Sequence, residues 1–138
     1  MLTARGNVRE RNRLLFYFVL AGLLVSLDQL TKLIARGLGF ETVCNFGVAF
    51  GLFPGKTILL IAVSLMVAFL VFHEKLKTEG QKIAIILVVS GGVANLFDRV
   101  RFGCVIDFIN LRVWPSFNLA DLMVSFGVLY LVFSALKQ

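Results

Sequence analysis

Four apolar runs alternate with polar segments along the chain, at about residues 14–30, 57–72, 83–97 and 117–136. Several are near or below the roughly 17–25 residues that a membrane-spanning helix needs. The pattern therefore predicts helices whose ends extend into flanking residues, with Lys56 and Lys82 lying along the apolar surface by their stems. Residues 31–56 hold Gly37, Gly39, Gly47, Gly51, Pro54 and Gly55 and predict a long loop with short strands around Thr42–Phe50. The segment from His73 to Lys82 predicts a short polar hairpin. The expected fold is an all-α membrane protein, a single domain over 1–138. It has four transmembrane helices and a small extramembrane element with short β strands between helices 1 and 2.

Composition agrees with the pattern. The chain is 59% hydrophobic and 16% charged, with a mean hydropathy of +0.90, well on the apolar side of soluble domains, which average about 25% charged. The lead-in carries Arg5, Arg9, Arg11 and Arg13 ahead of the first run. It has the charge-then-apolar order of a signal peptide, but no small-residue cleavage site follows, so the run reads as a retained span. The net charge of +6 fits cytoplasmic loop marking better than nucleic-acid binding, because no basic cluster is interleaved with exposed aromatics. Four spans put both termini on one side. That side holds eight Lys and Arg against six on the other, which places both termini in the cytoplasm.

This topology sorts the polar residues. Asp28, Asn45, Asn95, Asp98, Asp107, Asn118 and Asp121 all fall at the outer side, and they include every Asp of the chain. Gly91, Asn95 and Asp98 share a helical face, as do Asn118, Asp121 and Ser125. One polar site near the outer membrane surface, built from the ends of three helices, is the economical reading. Asp107 and Asp121 stand in apolar sequence, where an ionised group is costly without a partner or a task.

Structural roles compete for the same residues. Asp121 is placed to serve as a capping partner of a helix starting near Asn118. Asp98 and Arg99 read as an interfacial ion pair, and Asp28 and Lys32 as a helix-end pair at i, i+4. Gly91 and Gly92 read as close-packing residues. Cys44 and Cys104 are the two cysteines and indicate no disulfide framework and no zinc site. They read as small apolar packing residues near the site, on the oxidising side.

Two carboxylates can hydrolyse a peptide when one is ionised and takes a proton from water while the other, protonated, polarises the carbonyl. Sharing a site pushes their titrations apart and provides this division. Asp121, near the positive end of a helix, is the better candidate for the ionised partner. His73, the sole histidine, belongs on the cytoplasmic side and cannot activate a nucleophile at the outer site. Spacing also permits a Ser26–Lys32 pair. A proton-coupled transporter is the alternative function, but it would need an acid near a helix midpoint. A noncatalytic assembly subunit would leave the acid cluster without a task.

Five blocks stand in order: Asp28-Gln29-Leu30-Thr31-Lys32, Asn45-Phe46-Gly47-Val48-Ala49-Phe50, Gly91-Gly92-Val93-Ala94-Asn95-Leu96-Phe97-Asp98-Arg99, Val105-Ile106-Asp107-Phe108 and Phe117-Asn118-Leu119-Ala120-Asp121. The set resembles the motifs of the lipoprotein signal peptidases, the bacterial type II signal peptidases. The resemblance implies an aspartyl endopeptidase of the inner membrane that cuts prolipoproteins just before their lipid-modified cysteine. It implies Asp107 and Asp121 as the catalytic pair, with Asp28, Lys32, Asn45, Asn95, Asp98, Arg99 and Asn118 shaping or supporting the site. Diacylglyceryl-modified prolipoproteins and membrane lipid are the implied partners of a monomer that uses no cofactor, metal or nucleic acid. One block departs from the family's G-G-x-x-G-N pattern, having Ser90 and Ala94 at two of its glycines, which bears on how the third span packs.

Overall fold

In a computed structural model, residues 2–48, 53–54 and 78–137 are described. The expected second span over 57–72, His73 and Lys56 lie outside them. The described chain runs α1 (Leu2–Gly37), β1 (Val43–Asn45), β2 (Gly47–Val48), β3 (Phe53–Pro54), α2 (Glu79–Phe102), β4 (Val105–Asp107) and α3 (Leu119–Leu136). Three helices among these residues are long and apolar enough to cross a membrane.

The helices extend past the apolar runs, and α1 goes furthest. The loop expected from residue 31 begins after Gly37 instead, because Thr31–Arg36 continue the helix and Lys32 is neutralised by Asp28 one turn back and by Asp98 from α2. The stop is a Schellman motif: the Phe40 N–H donates to the Ala35 carbonyl and that of Gly39 to Arg36. Gly39 takes the left-handed conformation this requires, with φ +76°. At the other end of the molecule, the expected polar hairpin yields its last residues to α2. Thr78 caps that helix in a reciprocal box with Gln81. Glu79 there accepts hydrogen bonds from Tyr17, Arg13 and Lys82.

The strands are not confined to the connection between the first two spans. β1 pairs antiparallel with β4, matching Val43 to Asp107, Cys44 to Ile106 and Asn45 to Val105, while β2 pairs with β3. Beyond β4, a bridge between Ile109 and Phe117 closes the loop over 110–116 and returns the chain beside β4.

Helices α2 and α3 form the principal helix pair, and glycine lets them approach closely. A Cβ at Gly91 would run into the Ala120 carbonyl and the Val124 side chain, and one at Gly127 into the Ala84 carbonyl and Val88. Gly91 is thus a packing residue, as its position suggests. The molecule is apolar outside, where Phe18, Leu23, Val100, Phe126 and Phe133 are exposed. The largest fully buried side chains include Asn118, Asp28, Asp98 and Asp107. Lipid tails offer no hydrophobic driving force for association, so polar contacts and close packing must hold such helices together.

Candidate active site

Asn118 is the N-cap of α3, and its side-chain oxygen accepts from the Asp121 N–H at 3.0 Å. Asp121 Oδ2 accepts in return from the Asn118 N–H at 3.3 Å. The capping role read for Asp121 is therefore real. It uses one carboxylate oxygen and leaves the other, Oδ1, to the Asn95 amide at 2.8 Å.

The same Asn118 amide nitrogen donates to Asp107 Oδ1 at 2.7 Å and to Asn95 Oδ1 at 3.1 Å. Asp107 Oδ2 accepts from Asn45 Nδ2 at 2.8 Å. Asn118 and Asn95 thus link the two acids in one chain of hydrogen bonds, and Asn45 holds the far oxygen of Asp107. Asp107 lies outside the membrane-spanning helices, on β4. Burial pushes its carboxyl up to about 6 from an ordinary 3.8; the Asn45 hydrogen bond opposes this, the nearby Asp121 charge adds to it, and Asn118 and Lys32 pull back.

Beneath the acids lies a buried ionic cluster. Lys32 Nζ sits 2.7 Å from Asp28 Oδ2 and 2.8 Å from Asp98 Oδ2, and donates to Asn95 Oδ1 at 3.4 Å. Each acid of this cluster holds a part of the site. Asp28 Oδ1 accepts from the Ala120 N–H at 2.8 Å, fixing the first turn of α3, whose amides have no partner within the helix. Asp98 Oδ2 accepts from the Ile106 N–H at 3.1 Å, fixing β4 one residue before Asp107.

The Asp28–Lys32 pair thus forms as spacing suggests, but the Asp98–Arg99 pair does not. Successive helical residues do not face each other. Asp98 turns to Lys32, and Arg99 donates to the Gly47 carbonyl at 2.6 Å and the Asn95 carbonyl at 3.4 Å. The Ser26–Lys32 alternative also fails, since Ser26 is exposed while Lys32 is buried against two acids.

All nine residues singled out in the sequence come together here. Gln29 was passed over; its amide donates to Asp98 Oδ1 at 2.8 Å and to Asp28 Oδ2 at 3.2 Å, and the signal for it was its place between Asp28 and Lys32 in an otherwise apolar stretch. The cysteines need correction: Cys44 and Cys104 are not separate packing residues but a disulfide, with Cα atoms 5.5 Å apart. At the departing motif, Ala94 is fully buried, and the buried Ser90 Oγ has no hydrogen-bond partner among the described residues. A serine hydroxyl therefore stands unpaired where the family pattern has glycine.

A helical membrane protein with two acids joined through asparagines, one on a short strand and one in the first turn of a helix, is the class that fold and site define. The family described as Signal peptidase (SPase) II matches residues 20–137. Among curated relatives, the lipoprotein signal peptidase of Moorella thermoacetica is 36% identical, over 87% of this chain and 92% of its own. That of Caldicellulosiruptor bescii is 37% identical, over 81% and 85%. A bacterial membrane enzyme structure solved by the in meso method at 2.3 Å superposes with a TM-score of 0.72, at 25% identity and 88% coverage of both chains. The chain belongs to the signal peptidase II family. The transporter alternative finds no support in these relationships.

Proposed function

We propose that this chain is an aspartyl endopeptidase that removes the signal peptide from diacylglyceryl-modified prolipoproteins, cleaving on the amino side of the lipid-modified cysteine. The observation that carries the reading is that Asp107 and Asp121 share the side chain of Asn118, which donates to one and accepts from the backbone of the other. Two acids in such contact do not both ionise easily, so one stays protonated. Asp121, at the positive end of α3 and accepting the Asn118 N–H, is the ionised partner. Asp107, whose carboxyl burial raises to about 6, is the acid and is protonated below that pH.

In the reaction, Asp121 takes a proton from water as its oxygen adds to the scissile carbonyl carbon, and the Asp107 hydroxyl hydrogen-bonds the carbonyl oxygen as charge builds on it. The carbon–nitrogen bond then breaks, and the proton held on Asp121 passes to the leaving amine of the cysteine. The asparagines keep both carboxyls oriented throughout. The purified enzyme should release signal peptide from a diacylglyceryl-modified precursor and not from the unmodified one. Equal cleavage of both would overturn the substrate assignment.

The roles set a pH dependence. Only protonated Asp107 works as the acid, so kcat/KM, which reports the free enzyme, should fall as pH rises through about 6. Asn45→Ala removes a hydrogen bond that holds the Asp107 pKa down, and should move this limb to higher pH. A kcat/KM that instead rises with pH through about 6, with that rising limb moved upward by Asn45→Ala, would reverse the assignment of acid and base.

The enzyme is placed in the bacterial inner membrane as a multi-pass monomer, with both termini cytoplasmic and the site near the outer face. A disulfide near the site agrees with that side, since disulfides persist in oxidising compartments. Arg112→Cys in intact cells should react with a membrane-impermeant thiol reagent, and Lys82→Cys should not. The native cysteines do not interfere, being bonded to each other. The reverse labelling would invert the orientation.

A further inference from the structure

The sheet that joins Asn45 to Asp107 has three paired positions on two strands. Isolated two-stranded ribbons are at best marginally stable, and a register slip of one residue would turn Asp107 to the opposite face. The strands are held differently. β4 is tied to α2 through Asp98 and is buried along its length. β1 is largely exposed; among the described residues it is held by the sheet pairing, by the Asn45–Asp107 hydrogen bond and by one covalent tie, the Cys44–Cys104 bond, made across 60 residues of sequence. Cys44 immediately precedes Asn45, and Cys104 immediately precedes β4. Alternation puts Asn45 and Asp107 on one face of the sheet and Cys44 on the other. The covalent link and the Asn45–Asp107 hydrogen bond at 2.8 Å therefore fasten the same two strands from opposite faces.

From this arrangement we infer that Cys44 and Cys104 are positioning residues for catalysis: their disulfide sets the register that delivers the Asn45 amide to the Asp107 carboxyl. The inference rests on the assignment of Asp107 as a catalytic acid. It makes turnover responsive to reduction. Cys44 is exposed and Cys104 buried, so a thiol reductant approaches from the Cys44 side.

The test combines cysteine variants with Asn45→Ala in a double-mutant cycle on a diacylglyceryl-modified peptide precursor in micelles. Cys44→Ser, Cys104→Ser and the Cys44→Ala, Cys104→Ala double variant should each lower kcat by the same factor, on the order of tenfold, the size typical of coupling between contacting groups. The alkaline limb of kcat/KM should move upward in all three, as in Asn45→Ala. Asn45→Ala should lose a similar factor, and combining it with the cysteine substitutions should cost nothing more, because the bond then has nothing to position. To separate catalysis from failure to fold, folded wild type is treated with dithiothreitol, which becomes its cyclic disulfide as the cystine takes up two electrons and two protons. Turnover should fall by the same factor and return on reoxidation, while the cysteine-free variant should not respond.

Full turnover in the double variant would overturn the inference, as would a loss that multiplies with that of Asn45→Ala. Alkylation of both thiols in denatured, unreduced protein would do the same. Asp107→Asn is assayed alongside. If it is inactive while the cysteine variants match wild type, the clamp alone is wrong. If it turns over normally, the acid assignment falls and takes the clamp with it.

Discussion

Replacing either acid by its amide, Asp107→Asn or Asp121→Asn, should cost at least about a thousandfold in kcat, and the double variant should be little worse than either single, because removing one member disables the unit. The substitutions are close to isosteric, and the surrounding bonds say what survives. An asparagine at 121 keeps an oxygen for the Asn118 N–H, so the cap of α3 need not be lost with the charge. At 107 the amide keeps an oxygen for Asn45 or Asn118 but gives up the second acceptor. Both variants should insert and purify as wild type does. Measurable single-turnover cleavage within tenfold of wild type by either would remove that residue from the chemistry.

The largest loss of stability is expected from Lys32→Ala. It would strand Asp28 and Asp98, both fully buried, without their shared cation. Breaking a buried ionic set by removing one partner costs about 3–5 kcal/mol, a large share of a typical domain's stability. Both carboxylates also hold backbone amides, at Ala120 and Ile106, so their movement would displace the start of α3 and the strand carrying Asp107. Asp98→Asn should be milder, about 1–3 kcal/mol, because it leaves one acid facing one lysine and keeps an oxygen as acceptor. Thermal unfolding in detergent orders the two variants. A Lys32→Ala protein as stable as wild type, or less harmed than Asp98→Asn, would show that the cluster does not support the site in this way.

The polar residues of the site were legible because the rest of the chain is so apolar. An Asp or Asn at the edge of a hydrophobic run has few structural reasons to be there, and helical spacing orders Asn95 with Asp98 and Asn118 with Asp121. What escaped depends on contacts between distant parts of the chain. Lys32 and Arg36 look like the polar end of a span until Asp98, from another helix, is seen to neutralise Lys32. Arg99 looks like the partner of Asp98 because it is adjacent, but adjacency along a helix points side chains apart, and each finds its partner in another element. The disulfide needed the pairing of β1 with β4, strands that no local signal joins. The helical membrane character, short strands and the start of α3 at Asn118 could be read from pattern; the end of α1 and the start of α2 could not, because capping at Gly39 and Thr78 sets them.

The two side chains that link the acids, Asn118 and Asn95, are both asparagines. An amide both donates and accepts but neither gains nor loses a proton across the biological range. A histidine in the same place would add an ionisation near neutrality, and a lysine would fix the nearby carboxylates as anions. With amides, the linkage passes orientation from one acid to the other while storing no charge of its own. Any proton counted in or out along this chain of contacts belongs to Asp107 or Asp121. Under the proposed mechanism, the pair would therefore return to its starting protonation after each cleavage without waiting for a third group to reset.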